Sequence, residues 1–219
     1  MDGKAKRRTK RYAYLIFYLL LVVFFALPGA YSAGYITYNA FNFYESAVLS
    51  LLFSSGAVAY LFYRGITPKK IRMSLGISKK SFSLGMLSIG IVLFIIILLL
   101  EVGVGLISSI TGISISTNVS TIFGQAPFWF LIFAVFIAPI NEEIFFRGLL
   151  VPRIGILPSA IIFSILHASY NSTFGIEIIA AFIFGLLAGY VFKKTKSLYP
   201  SILAHMLVNA LALAVIFMV

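Results

Sequence analysis

The chain has 219 residues, 61% of them hydrophobic, with a mean hydropathy of +1.07 and only 11% charged residues. No soluble domain of that composition could keep its apolar surface from water, so an all-α polytopic membrane protein is expected. The formal net charge of +11 does not point to nucleic acid, because the basic residues sit in short segments between apolar runs, and the absence of Cys excludes disulfides, thiolate nucleophiles and Cys-ligated metal centres.

In chain order, six basic side chains between Lys4 and Arg11 precede an apolar run from Tyr12 to Leu27 that Pro28 and Gly29 stop. The run reads as a first span. A cleaved signal peptide is the rival reading, with Ala30-Tyr31-Ser32 as a small-residue cleavage site, but the next basic cluster lies where an uncleaved span requires it. A second span covers Ser46 to Tyr63, and a basic loop follows from Arg64 to Lys80. The third apolar run, Phe82 to Ile110, exceeds the roughly 20 residues needed to cross, so it is expected to tilt, to break near Gly103 and Gly105, or to project beyond the bilayer. A polar loop from Thr111 to Gln125 leads to a fourth span that starts at Pro127. Pro158 to Ser169 is too short to cross unaided and is expected to lie buried among other helices. The last two runs are Phe174 to Phe192, ending in Lys193, Lys194 and Lys196, and Leu198 to Val219.

With the N-terminus placed in the cytoplasm, all 17 Lys and Arg fall in cytoplasmic segments or at cytoplasmic ends of spans. Seven crossings, with the C-terminus outside, satisfy that distribution. An eighth crossing within the third run would reverse everything after it, and no basic residue supports the reversal. The expected organisation is one integral membrane domain: a basic N-terminus over residues 1–11, N-terminal membrane helices over 12–110, and C-terminal helices over 111–219 that carry the polar motifs.

Those motifs are few. Pro139-Ile140-Asn141-Glu142-Glu143-Ile144-Phe145-Phe146-Arg147-Gly148 puts two carboxylates and a guanidinium inside a span, where a charge costs roughly 2.5–3.5 kcal/mol at the bilayer centre unless it faces protein or a wet cavity. Glu142 lies about 15 residues beyond Pro127, hence roughly 22 Å from the outer face and within about 10 Å of the cytoplasmic one. On the same reckoning His167, His205 and Asn209 lie roughly 13, 9 and 15 Å inward from the cytoplasmic face, so four polar groups share one layer. Glu101 and Glu177 fall near the outer face and read as interfacial. Glu143 and Arg147 have the i,i+4 spacing of an intrahelical ion pair, whereas Glu142 points about 100° away and is free to face a cavity. A desolvated carboxylate with a histidine and a water in reach is suited to proton transfer. Phe163 and His167 lie on one helical face, as do His205 and Asn209. An imidazole and an amide on one face can donate to a developing oxyanion, while the other imidazole orients the carboxylate and its water.

These residues resemble the type II CAAX prenyl endopeptidases and their prokaryotic relatives, the CPBP or ABI intramembrane proteases. The family's Glu-Glu-x-x-x-Arg pattern is met by Glu142, Glu143 and Arg147, its Phe-x-x-x-His by Phe163 and His167, and its His followed four residues later by Asn by His205 and Asn209. The resemblance covers roughly residues 127 to 215; the N-terminal 110 residues match only as hydrophobic helices. It implies a helical bundle around a cavity open to the cytoplasmic side, in a prokaryotic cell membrane. Glu142 and His167 would activate the attacking water, and His205 and Asn209 would stabilise the oxyanion. Glu143, Arg147 and Phe163 would be supporting. Neither cofactor nor metal is implied, and the expected partners are membrane lipids and a membrane-tethered or prenylated substrate, with no nucleic acid. A zinc metalloprotease using Glu142, His167 and His205 is an alternative, although His-Glu-x-x-His is missing. A transporter would need paired broken helices, which are not found. A non-catalytic scaffold or immunity-type protein is the remaining alternative.

Overall fold

The computed structural model of the chain describes residues 40–111, 119–167 and 176–218. The expected first span, its cleavage alternative, the basic N-terminus and the side chain of Glu177 lie outside the described residues. The rest is all-helical: α1 Ala40–Tyr63, α2 Pro68–Ser74, α3 Leu84–Thr111, α4 Val119–Gly124, α5 Phe128–Ile154, α6 Ile156–Leu166, α7 Ile176–Thr195 and α8 Tyr199–Met218. Five of these, α1, α3, α5, α7 and α8, are long and apolar enough to cross a membrane. Their outward faces carry exposed residues such as Val92, Leu99, Ile107, Phe136 and Val215, as lipid-facing helices do.

The third apolar run is a single helix of 28 residues that passes through Gly103 and Gly105 unbroken. At 1.5 Å per residue it is roughly 42 Å long, so it must tilt or project. The short segment α6 starts at Ile156, two residues earlier than expected, because Gly155 at φ 95° reverses the chain immediately after α5. Pro158 then falls in the first turn, where a missing N–H breaks no helical bond. With 11 residues, α6 reaches only about half-way through a bilayer. It lies tightly against α7, since a Cβ on Gly185 would come within 2.9 Å of the Ala160 Cβ. Such close packing of small residues is what binds helices where lipid removes any hydrophobic drive.

The loops fix one end of the bundle. Leu198 N–H donates to Gly76 O at 3.0 Å, Ser197 Oγ to Ser81 O at 2.7 Å, and Tyr199 Oη to Ile77 O at 3.3 Å. Arg153 stacks over Tyr60 at the close of α1. Every described Lys and Arg except Arg147 therefore gathers at this basic end. Inward from it, Leu75, Leu149, Leu150, Leu198 and the aromatic group Phe53, Phe145, Phe146 and Phe163 form the main buried core. A second, smaller cluster of Phe43, Ile122, Phe130 and Ala134 closes the opposite end.

Candidate active site

The polar groups are set by an irregular α5. Its turn Ala138–Glu143 is α-helical, but wider π-type turns flank it at Phe133–Ile137 and Ile144–Leu150. The first has a covalent cause. Ala138 N–H reaches back to Phe133 O, and the next residue, Pro139, has no N–H to offer the Ala134 carbonyl. Asn209 of α8 supplies the missing donor, with Nδ2 2.8 Å from Ala134 O. Asn141 Nδ2 donates to Ser50 Oγ of α1 at 3.3 Å, and Ser159 Oγ of α6 donates to Phe146 O at 2.9 Å. Three neighbouring helices thus hold the bulged segment that carries both glutamates.

Glu143 is fully buried and Arg147 is 1% exposed, with Arg147 Nη1 2.8 Å from Glu143 Oε1. The guanidinium lies over the Phe163 ring at 4.2 Å and the Phe184 ring at 5.0 Å, which compensates part of its desolvation. The same Glu143 oxygen accepts from His205 Nδ1 at 3.2 Å. A carboxylate only accepts, so Nδ1 carries a proton and His205 presents Nε2 to Glu142 Oε2, 3.9 Å away. His167 is fixed in the same sense: its Nδ1 lies 2.9 Å from Phe163 O, a group that can only accept, so Nδ1 carries the proton and the unprotonated nitrogen of the neutral ring is Nε2. The Phe163 ring packs on the His167 ring at 4.4 Å between centroids. This explains the four-residue spacing, since Phe163 contributes both a stacking face and a carbonyl.

Glu142, His167 and His205 each offer one ligand-type atom, all within 4.8 Å of one another. Glu142 Oε2 is buried and accepts no hydrogen bond among the described residues. All three side chains and Asn209 line a cavity of about 570 Å³.

Several expectations change here. Glu142 is not near the end of its span. α5 runs through Ile154 because Arg147 stays inside the bundle, so Glu142 is roughly mid-helix, about 18 Å from the basic end. Between the site and that end, Gly148 packs against Leu75 and Leu198, and Leu149 and Leu150 are buried. The described cavity extends the other way, past Val104, Gly105, Phe130 and Leu213. Glu101, expected apart from the site, lines this cavity. Depth along an axis does not fix facing: Ile97, Glu101, Val104 and Gly105 share one stripe of α3 that looks inward. Asn209 spends one amide N–H on Ala134 and has one left. Phe184, whose ring lies 5.0 Å from that of His205, carried no signal in a uniformly apolar run.

Residues 124–211 match the family model described as Type II CAAX prenyl endopeptidase Rce1-like, a stretch covering less than half of the chain but all of the motif residues. No curated protein and no solved structure matches the chain. Over that stretch the chain is similar to the Rce1-like type II CAAX prenyl endopeptidases.

Proposed function

We propose that the protein is an intramembrane glutamate-type endopeptidase that cleaves near the C-terminus of a membrane-tethered substrate. The observation that carries this reading is the convergence of Glu142, His167 and His205 within 4.8 Å on a cavity, with each histidine's Nδ1 already engaged. A water between Glu142 and His167 Nε2 would donate to both acceptors and present its oxygen to a peptide carbonyl. As it adds, Glu142 takes its proton; His205, protonated and held by Glu143, donates Nε2–H to the oxyanion, assisted by the remaining Asn209 N–H. Glu142 then returns the proton to the leaving amine, so no net proton is consumed in the collapse. Glu143, itself anchored by Arg147, keeps His205 aimed.

In this reading the basic end faces the cytoplasm and the C-terminus lies outside. The chamber is lined mostly by apolar side chains of membrane-length helices, so in this reading the substrate reaches it from within the membrane, between helices. A prenyl tail suits that route, because tethering raises the effective concentration of the scissile bond at Glu142. The test incubates the purified protein with prenylated and unprenylated forms of one peptide ending in a Cys-terminal motif and identifies products by mass. Release of a short C-terminal peptide from the prenylated form is expected. Equal cleavage of both discards the lipid requirement, and cleavage of neither returns the protein to a binding role.

A zinc-dependent reading has one specific observation in its favour. Each histidine donates its Nδ1–H to a carboxylate or carbonyl, as metal-ligating histidines do. Ligands about 2.0–2.2 Å from a tetrahedral zinc stand about 3.3–3.6 Å apart. The 3.9 Å pair of His205 and Glu142 would close by a few tenths of an ångström, and the 4.8 Å span of the set by about 1 Å, to hold the ion.

A further inference from the structure

Two arginines meet over one aromatic ring at the basic end, and no described acid accompanies them. Arg64 directly follows α1, its backbone N–H still donating to Tyr60 O at 3.1 Å. Arg153 stands in the last turn of α5, just before the reversal at Gly155. Their guanidinium carbons lie 5.9 and 5.1 Å from the centroid of the same Tyr60 ring, and the two charges act on one another. Arg64 Nη1 donates to Tyr60 Oη at 3.2 Å and Arg153 Nη1 to Leu149 O at 2.7 Å. Arg64 Nε is buried with no acceptor.

The described acids are all elsewhere. Glu143 is taken by Arg147, Glu142 and Glu101 line the cavity, and Glu45 lies 18 residues before Tyr63 along α1, roughly 27 Å away. A half-buried pair of like charges sharing one ring is unfavourable on its own and becomes favourable with an anion between them. Two planar guanidinium forks with spare N–H groups match the oxygens of a phosphate better than those of any smaller anion.

We infer that Arg64 and Arg153, with Tyr60 between them, form a binding site for a phosphodiester anion, supplied by the headgroup of an anionic phospholipid in the leaflet at the basic end. The neighbourhood favours lipid over a free ion. Phe62 and Tyr63, adjacent to Arg64, are 66% and 60% exposed and offer an apolar and an amphipathic side chain at the level where acyl chains meet headgroups. Arg64 and Arg153 mark the ends of two membrane-length helices, so the site sits where phosphates of that leaflet lie.

The test uses the full chain in detergent micelles supplemented with phosphatidylglycerol or phosphatidylcholine, with bound lipid counted by native mass spectrometry. One tightly retained phosphatidylglycerol per chain is expected, with no such retention of phosphatidylcholine. The Arg64→Gln/Arg153→Gln variant should lose that retention by about tenfold or more, whereas Lys193→Gln/Lys194→Gln should keep it. Should the Gln pair fail to fold, Arg64→Lys/Arg153→Lys keeps the charge but not the forks and should still lose retention several-fold. Equal retention by wild type and either arginine variant overturns the site, as does an equal loss in the lysine control. Displacement of the lipid by millimolar inorganic phosphate would overturn the lipid assignment in favour of the free ion.

Discussion

Replacing Glu143 with Gln probes the most deeply buried interaction in the site. Glu143 and Arg147 are 0% and 1% exposed at 2.8 Å, so solvent screening gives no discount. Gln keeps a carbonyl oxygen to accept from His205 Nδ1 but strands the Arg147 guanidinium, held then only by the Phe163 and Phe184 rings. The two ring contacts are present before and after the change and cancel, so the expected loss is that of breaking one partner of a buried pair, about 3–5 kcal/mol. Removing both charges with Glu143→Gln/Arg147→Met should recover most of it, since an apolar side chain of similar volume replaces the stranded cation. The assay is unfolding of each purified variant by increasing SDS in mixed micelles, read by far-UV circular dichroism. A Glu143→Gln protein as stable as wild type, or a double variant no better than the single, would refute the ion pair as a structural support.

The other predictions concern the bulge, the topology and the metal. Asn209→Ala leaves the Ala134 carbonyl without a donor and should cost about 1–3 kcal/mol in the same unfolding assay. It should also lower turnover by displacing Glu142; undiminished stability with full activity would remove Asn209 from both roles. Tags at residue 1 and beside Lys69 should be accessible from the cytoplasm and a tag after Val219 from outside, and an external Lys69 would invert the assignment of the basic end. Peptide cleavage by purified protein should persist in excess chelator, because a carboxylate and an imidazole can activate water without an ion. Activity lost to chelator and restored by added zinc would select the metal reading for Glu142, His167 and His205.

The helices that carry the motifs were legible because charged and imidazole groups inside apolar runs have few places to go. The i,i+4 pairs Glu143–Arg147 and Phe163–His167 follow from helical spacing alone, and both make the contacts that spacing implies. What joins them across helices was not legible. The Glu143–His205 contact links residues 62 apart, and in helices apolar on every face no periodicity states which side meets which neighbour. The same limit hid the inward stripe that brings Glu101 to the cavity. Pro139 was a readable clue, since a proline inside a span implies an orphan carbonyl that another group must satisfy. Without the placement of α8, nothing identified Asn209 as that group. The depth of Glu142 differs for a related reason: counting from Pro127 across a bilayer of about 30 Å ends the span soon after the motif, whereas the buried pairing of Arg147 lets the helix continue to Ile154.

The central claim is that Glu142 is the base that activates water, and single-turnover cleavage of the prenylated peptide by Glu142→Gln tests it most directly. Gln preserves the shape of the side chain and removes its ability to take a proton. Glu142 makes no ion pair as close as that of Glu143, its nearest being the 3.9 Å approach to His205, so the variant should unfold at nearly the wild-type SDS concentration. The account expects a rate about 10²–10⁴-fold below wild type with unaltered peptide binding. A folded Glu142→Gln protein that binds the peptide and cleaves it at the wild-type rate would contradict it.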